Sequence, residues 1–250
     1  MLDRDFDRQW KARVLEDRKR TVRLLTASLR ELSDSVVERA TAAGARAVAL
    51  TGSTARGRRT PISDLDFHVV GASPVLHGLP GEVDVVADSF ERFHRRLAEG
   101  DDFVQWTVRL GCVLHDPDRI FQSTYARIVR QGLWPDPRRK FERADALASL
   151  AERVIGIEDR EAGQENIRGA LTSYARGILL VEGVFPLARD ELAKQLVERG
   201  RAETGRWLHR TIHDDLTLDE LRHALRHLTQ GSSEQSERRS RTAQHVADAA

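Results

Sequence analysis

Asp64 and Asp66 stand one residue apart in "SDLDFHVV", and Asp84 sits in a second apolar run, "EVDVV". Residues two apart in a β-strand point to one face, so Asp64 and Asp66 would project together while Leu65 and Phe67 turn to the core. Neighbouring ionised carboxylates repel and raise each other's pKa unless a cation lies between them. Magnesium takes oxygen ligands in octahedral geometry and bridges well to phosphates, so it is the natural partner. Upstream, the apolar run "AVAL" ends at Gly52, where a tight turn would bring backbone close to a ligand, and Ser53 adds a hydroxyl. The amides of a helical turn beginning there would face outward without partners, which suits an anion. Arg56, Arg58 and Arg59 follow, with guanidinium groups fitted to phosphate oxygens. If the strand of Asp84 pairs beside that of Asp66, three carboxylates meet at the edge of a phosphate cradle. That set describes two-metal phosphoryl or nucleotidyl transfer.

Each feature also has a plainer reading. Small residues are common at strand-to-helix turns, and paired aspartates line exposed edge strands. Against this, the strand around Asp64 and Asp66 is otherwise apolar, and a third carboxylate recurs in an equally apolar run, where unpaired charge would be costly. Glu82 lies two residues before Asp84, shares its strand face and competes with it for the third position. Valines flank Asp84, whereas Glu82 adjoins a glycine turn where solvation is easy, which favours Asp84. His68 falls at the next position on the aspartate face, which would set it near the site, but it reads first as a polar packing residue.

The elements that must hold these groups can be read from periodicity. Residues 5–43 carry apolar positions at helical spacing with no proline, which predicts one helix. "GARAVALTGS", "SDLDFHVVG", "GEVDVVAD" and "GCVLHDPD" read as strands, and "SFERFHRRLAEG" as a helix with Ser89 and Gly100 at its ends. Beyond about residue 138 the β signal stops; "RRKFERADALASLAERVIGIEDREAGQENIRGALTSYARGILLVEG" and two later segments read as helices. The predicted fold class is α+β. Its parts are an N-terminal helix over 1–43, a small mixed-sheet domain over 44–137, an α-helical domain over 138–230 and a polar tail over 231–250.

The stretch Gly52, Ser53, Ala55, Arg56, Gly57, then Ser63, Asp64, Leu65, Asp66 resembles the signature of the DNA polymerase β-like nucleotidyltransferase superfamily. Its spacing is closest to the small bacterial members, the minimal and aminoglycoside-type enzymes. The resemblance implies that Gly52, Ser53 and Arg56 bind the nucleotide triphosphate. It also implies that Asp64, Asp66 and Asp84 bind two magnesium ions, with Asp84 removing the acceptor's proton. Arg58 and Arg59 fall outside the pattern and read as solvated loop charges. The implied reaction moves a nucleoside monophosphate, AMP from ATP foremost, onto a hydroxyl. The implied acceptor is a small molecule such as an aminoglycoside-type antibiotic, which would make the chain a resistance enzyme. Other outcomes of the same resemblance are a protein or RNA acceptor, or a nucleotide-binding regulatory module of antitoxin type.

Composition narrows the partners. A formal net charge of +1 gives no whole-molecule field for nucleic acid. No apolar run approaches a membrane span, the first residues are charged, and the single Cys112 suits a reducing compartment, so a cytoplasmic enzyme is expected. The acidic group Glu158, Asp159, Glu161 and Glu165 reads either as a solvated helix face or as a wall attracting a cationic acceptor. "RHALRH" places Arg222 and His227 at a spacing used by a helical ribonuclease family, a pairing that also arises by chance in so arginine-rich a segment.

Overall fold

A computed structural model describes residues 10, 12–17, 19, 23–60, 63–71 and 79–231. The chain divides into two compact units, Met1–Pro135 and Asp136–Ala250. The predicted tail lies almost wholly outside the described residues.

The first unit is built on a four-stranded mixed sheet, as the α+β reading requires. Its strands are β1 (Ala45–Leu50), β2 (Leu65–Gly71), β3 (Val83–Asp88) and β4 (Cys112–His115), in the order β3-β2-β1-β4. β1 runs antiparallel to both β2 and β4, whereas β2 and β3 are parallel. Val48, Leu50, Leu65, Phe67 and Val69 are fully buried, and so are Ala47, Ala49 and Val70 at alternate positions. Both faces of the central strands are therefore covered, which explains why β1 and β2 read as continuous apolar runs. The Ala47, Ala49 and Val70 side of the sheet meets Phe93 and Leu97 of α3 (Phe90–Ala98), Val104 and Val108 of α4 (Asp102–Leu110) and Phe121 of α5 (Ile120–Gln131).

A single helix over 5–43 is not what forms. Helical residues at 10, 12–17, 19 and 23–24 end at a bend, and α1 (Ala27–Ala42) begins anew. Thr26 causes the break: its backbone is extended and its side chain accepts the Leu29 amide as an N-cap. Between β1 and β2 the chain makes the single-turn helix α2 (Gly52–Ala55).

The second unit contains α6 (Pro137–Gly156), α7 (Arg160–Val181), α8 (Arg189–Glu198), α9 (Ala202–His213) and a last helix over 218–231. Phe141, Ala144, Ala148, Ala151 and Ile155 form the buried stripe of α6 at helical spacing, facing Ile167, Leu171 and Tyr174 of α7. A side chain at Gly177 would meet the Phe141 ring at 2.8 Å, so glycine there lets the two helices close together. The continuous helix expected across the acidic segment is interrupted: Glu158 adopts φ 61°, and Asp159 caps α7 through the Ala162 amide.

Two carboxylates tie this fold to pH. Glu220 is held down to about 2, chiefly by the Arg210 guanidinium and the Thr217 amide and hydroxyl. Burial pushes Asp88 up, but the hydrogen bond from His68 and the charge of Arg96 outweigh it, leaving Asp88 below its ordinary value of 3.8. Both groups titrate lower in the folded state than unfolded, so the stability they contribute is complete above about pH 4.5 and is lost as pH falls, Glu220's share fading toward pH 2. Acid unfolding followed by tryptophan fluorescence should therefore steepen below pH 4.5, and Glu220→Gln should flatten the second unit's share.

Candidate functional site

Gly52 opens α2 with φ 65°, a left-handed conformation that favours glycine. The Asp66 carboxylate lies directly over its Cα. A Cβ at Gly52 would overlap Asp66 Oδ2 and come within 2.8 Å of Cγ. Glycine is thus needed twice, for the turn and for the carboxylate's place.

Two buried threonines that spacing did not single out fix this geometry. The Thr51 amide donates to the Asp66 carbonyl at 2.7 Å and its hydroxyl to the same oxygen at 3.2 Å. The Thr54 hydroxyl donates to the Asp64 carbonyl at 3.4 Å. Their signal was their setting, since both flank the Gly-Ser pair. After α2 the chain folds back, with the amides of Arg56 and Arg58 donating to the Ser53 carbonyl at 3.1 and 2.9 Å. Gly57, at φ 70°, leaves room for Leu24, whose Cδ2 would be 3.2 Å from a Cβ there.

Asp66 and Asp84 are directly paired in the β2–β3 register. Adjacent strands stand about 4.8 Å apart, so the two carboxylates rise from neighbouring positions on one face. Asp64 sits at the loop end just before β2, and the Glu82 carbonyl accepts the Leu65 amide at 2.7 Å in the turn before β3. Asp84 is thus level with Asp66, whereas Glu82 precedes the strand. One expectation is corrected: Asp64 and Asp84 are exposed and Asp66 half-buried, because β3 is an edge strand and β2 has only just begun at Leu65. The cost of burying charge is therefore no argument for a cation here; the register is.

Among the described residues, no group of three or more His, Cys, Asp or Glu side chains is arranged to hold a metal ion. The donors nonetheless fit magnesium, which keeps several waters and is held by one or two carboxylates plus substrate phosphates instead of a full protein cage. Asp66 and Asp84 supply two hard oxygen donors in register beside the first turn of α2.

Behind these carboxylates lies a polar chain. His68 is wholly buried among Phe93, Phe103 and Phe121, its Nδ1 2.9 Å from Thr107 Oγ1 and its Nε2 3.0 Å from Asp88 Oδ2. An ionised carboxylate only accepts, so Nε2 carries the proton and donates. Burial pushes the His68 pKa down by more than Asp88 raises it, which keeps the ring neutral at pH 7. The packing role read from the sequence is what the structure shows.

Other residues fall elsewhere. A cleft of about 410 Å³ between Trp10, Val14 and the Val113–Asp116 stretch lies toward the end of β4 where His115 pairs with Val48. The Gly52 turn follows Leu50, which pairs with Cys112 at the opposite end, so this cleft holds none of the candidate residues. Of the acidic group, Asp159 caps a helix and Glu165 pairs with Arg168 at 2.8 Å, all on an exposed helix start. His227 lies 3.0 Å from Thr204 Oγ1, and Arg222 pairs with Asp219, each engaged by its own neighbour.

Gly52→Ala should lower the thermal midpoint modestly, by the roughly 1–2 kcal/mol of a non-glycine residue at left-handed φ. Its effect on any chemistry at Asp66 should be far larger, because the carboxylate must move. Calorimetry beside an activity assay separates the two.

Residues 29–141 match the family model of the nucleotidyltransferase domain, a span that includes α2, all four strands and each candidate residue. No curated protein matches the chain. Among solved structures, a nucleotidyltransferase-like protein from Exiguobacterium sibiricum 255-15 is similar at 15% identity and a TM-score of 0.39, covering 81% of this chain and 75% of that one. No described helix is long and apolar enough to cross a membrane.

Proposed function

We propose, from the nucleotidyltransferase domain matched over residues 29–141, that this chain moves a nucleoside monophosphate from a nucleoside triphosphate to a hydroxyl of a second substrate. The observation that carries the reading is the placement of Asp66, opposite Asp84 and upon Gly52 at the start of α2. In this proposal the α2 turn at Gly52 and Ser53 receives phosphate oxygens through backbone amides, with Arg56 beside it. Asp66 and Asp84, joined by Asp64 once substrate is bound, would hold magnesium, two ions in the full form, which would supply positive charge against the triphosphate. Asp84 takes the proton of the acceptor hydroxyl. The hydroxyl oxygen bonds to the α-phosphorus, the bond from that phosphorus to the bridging oxygen breaks, and pyrophosphate leaves.

The finer parts of the proposal are ATP as donor and a small aminoglycoside-type acceptor. Both rest on the resemblance of Gly52, Ser53, Asp64 and Asp66 to the signature of the small bacterial nucleotidyltransferases, a motif that by itself says nothing of the acceptor. Mass spectrometry of an acceptor panel incubated with protein, ATP and magnesium tests them. A gain of one AMP on a small hydroxylated acceptor is expected. Nucleotide binding without a modified acceptor, across small molecules, proteins and RNA alike, would contradict transfer and favour a regulatory module.

A further inference from the structure

The buried chain behind the carboxylates spans the two strands that carry them. His68 stands two residues beyond Asp66 on β2, and Asp88 four beyond Asp84 on β3. His68 pairs with Val86 and Val70 with Asp88 in the ladder, so the His68–Asp88 hydrogen bond is a fixed diagonal between strands. Asp88 also accepts from Arg96 Nη1 at 2.5 Å and lies 2.9 Å from Arg92 Nε. Arg96 continues to Asp101 Oδ2 at 3.0 Å, and Asp101 caps α4 through the Phe103 amide.

Such a diagonal does something the ladder cannot. A slip of two residues keeps every side chain on its own face and keeps ladder hydrogen bonds, so backbone and apolar pattern discriminate weakly against it. The slip that sets His68 opposite Asp84 would leave His68 and Asp88 without each other inside an apolar core, an outcome costly for a buried donor and charge. It would also carry Asp84 away from Asp66. We propose that His68 and Asp88 are positioning residues: their buried pair sets the β2–β3 register that places Asp66 opposite Asp84. As a statement about catalysis this rests on the reading under Proposed function; as a statement about register it does not.

The test reads both separately. Opposed positions on adjacent strands are within disulfide reach, and the native Cys112 is buried, so Asp66→Cys with Asp84→Cys reports the register by oxidative cross-linking in the full chain. Adding His68→Leu should slow cross-linking about tenfold or more, the worth of one buried charge-assisted hydrogen bond. His68→Gln keeps an amide donor and should restore most of the rate. With the aspartates in place, His68→Leu should lower kcat by a similar factor and leave KM for ATP nearly unchanged, again with rescue by His68→Gln. Where His68→Leu fails to fold, Asp88→Asn takes its place with the same expected slowing. Cross-linking as fast with leucine as with histidine overturns the proposal, whatever the transfer assay shows. Cross-linking that slows as expected, in a chain whose native form transfers nothing, upholds the register role and overturns the transferase reading.

Discussion

Asp66→Asn is expected to abolish nucleotidyl transfer while leaving the fold intact. Asparagine keeps the shape that rests on Gly52, and both hydrogen bonds from Thr51 go to the backbone carbonyl, so neither depends on the charge. What is lost is one of the two in-register anionic donors beside the first turn of α2, where the proposed reaction places the phosphates. A metal's electrostatic help is worth several kcal/mol, so the loss in kcat/KM should be about a thousandfold or more. The thermal midpoint without nucleotide should stay level or rise slightly, because one of two facing carboxylates has become neutral. Steady-state kinetics and calorimetry on the same preparation check both halves.

Asp84→Asn should cost turnover more than binding. In the proposed chemistry Asp84 takes the acceptor's proton, and general-base assistance is typically worth about a hundredfold to ten-thousandfold. ATP and magnesium should bind with smaller change, because Asp64 and Asp66 remain. Glu82→Gln is the paired control. Glu82 lies in the turn before β3, two residues short of the Asp66 level, and its substitution should be mild. A crippled Glu82→Gln beside an active Asp84→Asn would assign the third carboxylate to Glu82.

Much of this site is legible in the sequence alone. The apolar runs located all four strands, and the Gly-Ser pair located the turn at Gly52. What stayed hidden depends on contacts between distant residues. That β2 and β3 run parallel, with Asp66 against Asp84, is a property of pairing which neither strand carries alone. His68 looked out of place in an apolar strand, but its partners lie 20 and 39 residues away. α4 was not read from the sequence although Asp102, Gln105 and Arg109 recur at helical spacing; its polar positions are buried or half-buried along with Val104, Trp106 and Val108, so they mark no solvent face. The break at Glu158 is announced only by Gly156 two residues earlier, an isolated glycine of the kind a helical pattern tolerates. The exposure of Asp84 was misjudged because its flanking valines suggest a central strand, while β3 lies at the edge.

The measurement closest to the central claim follows the phosphorus atoms of ATP. The protein is incubated with magnesium, the acceptor panel, and ATP labelled at either the α or the γ position. Label from the α position should appear on an acceptor with release of pyrophosphate, label from the γ position should not, and Asp66→Asn should transfer neither. Transfer of the γ label, or undiminished transfer of the α label by Asp66→Asn, would contradict nucleotidyl transfer at this pair of carboxylates.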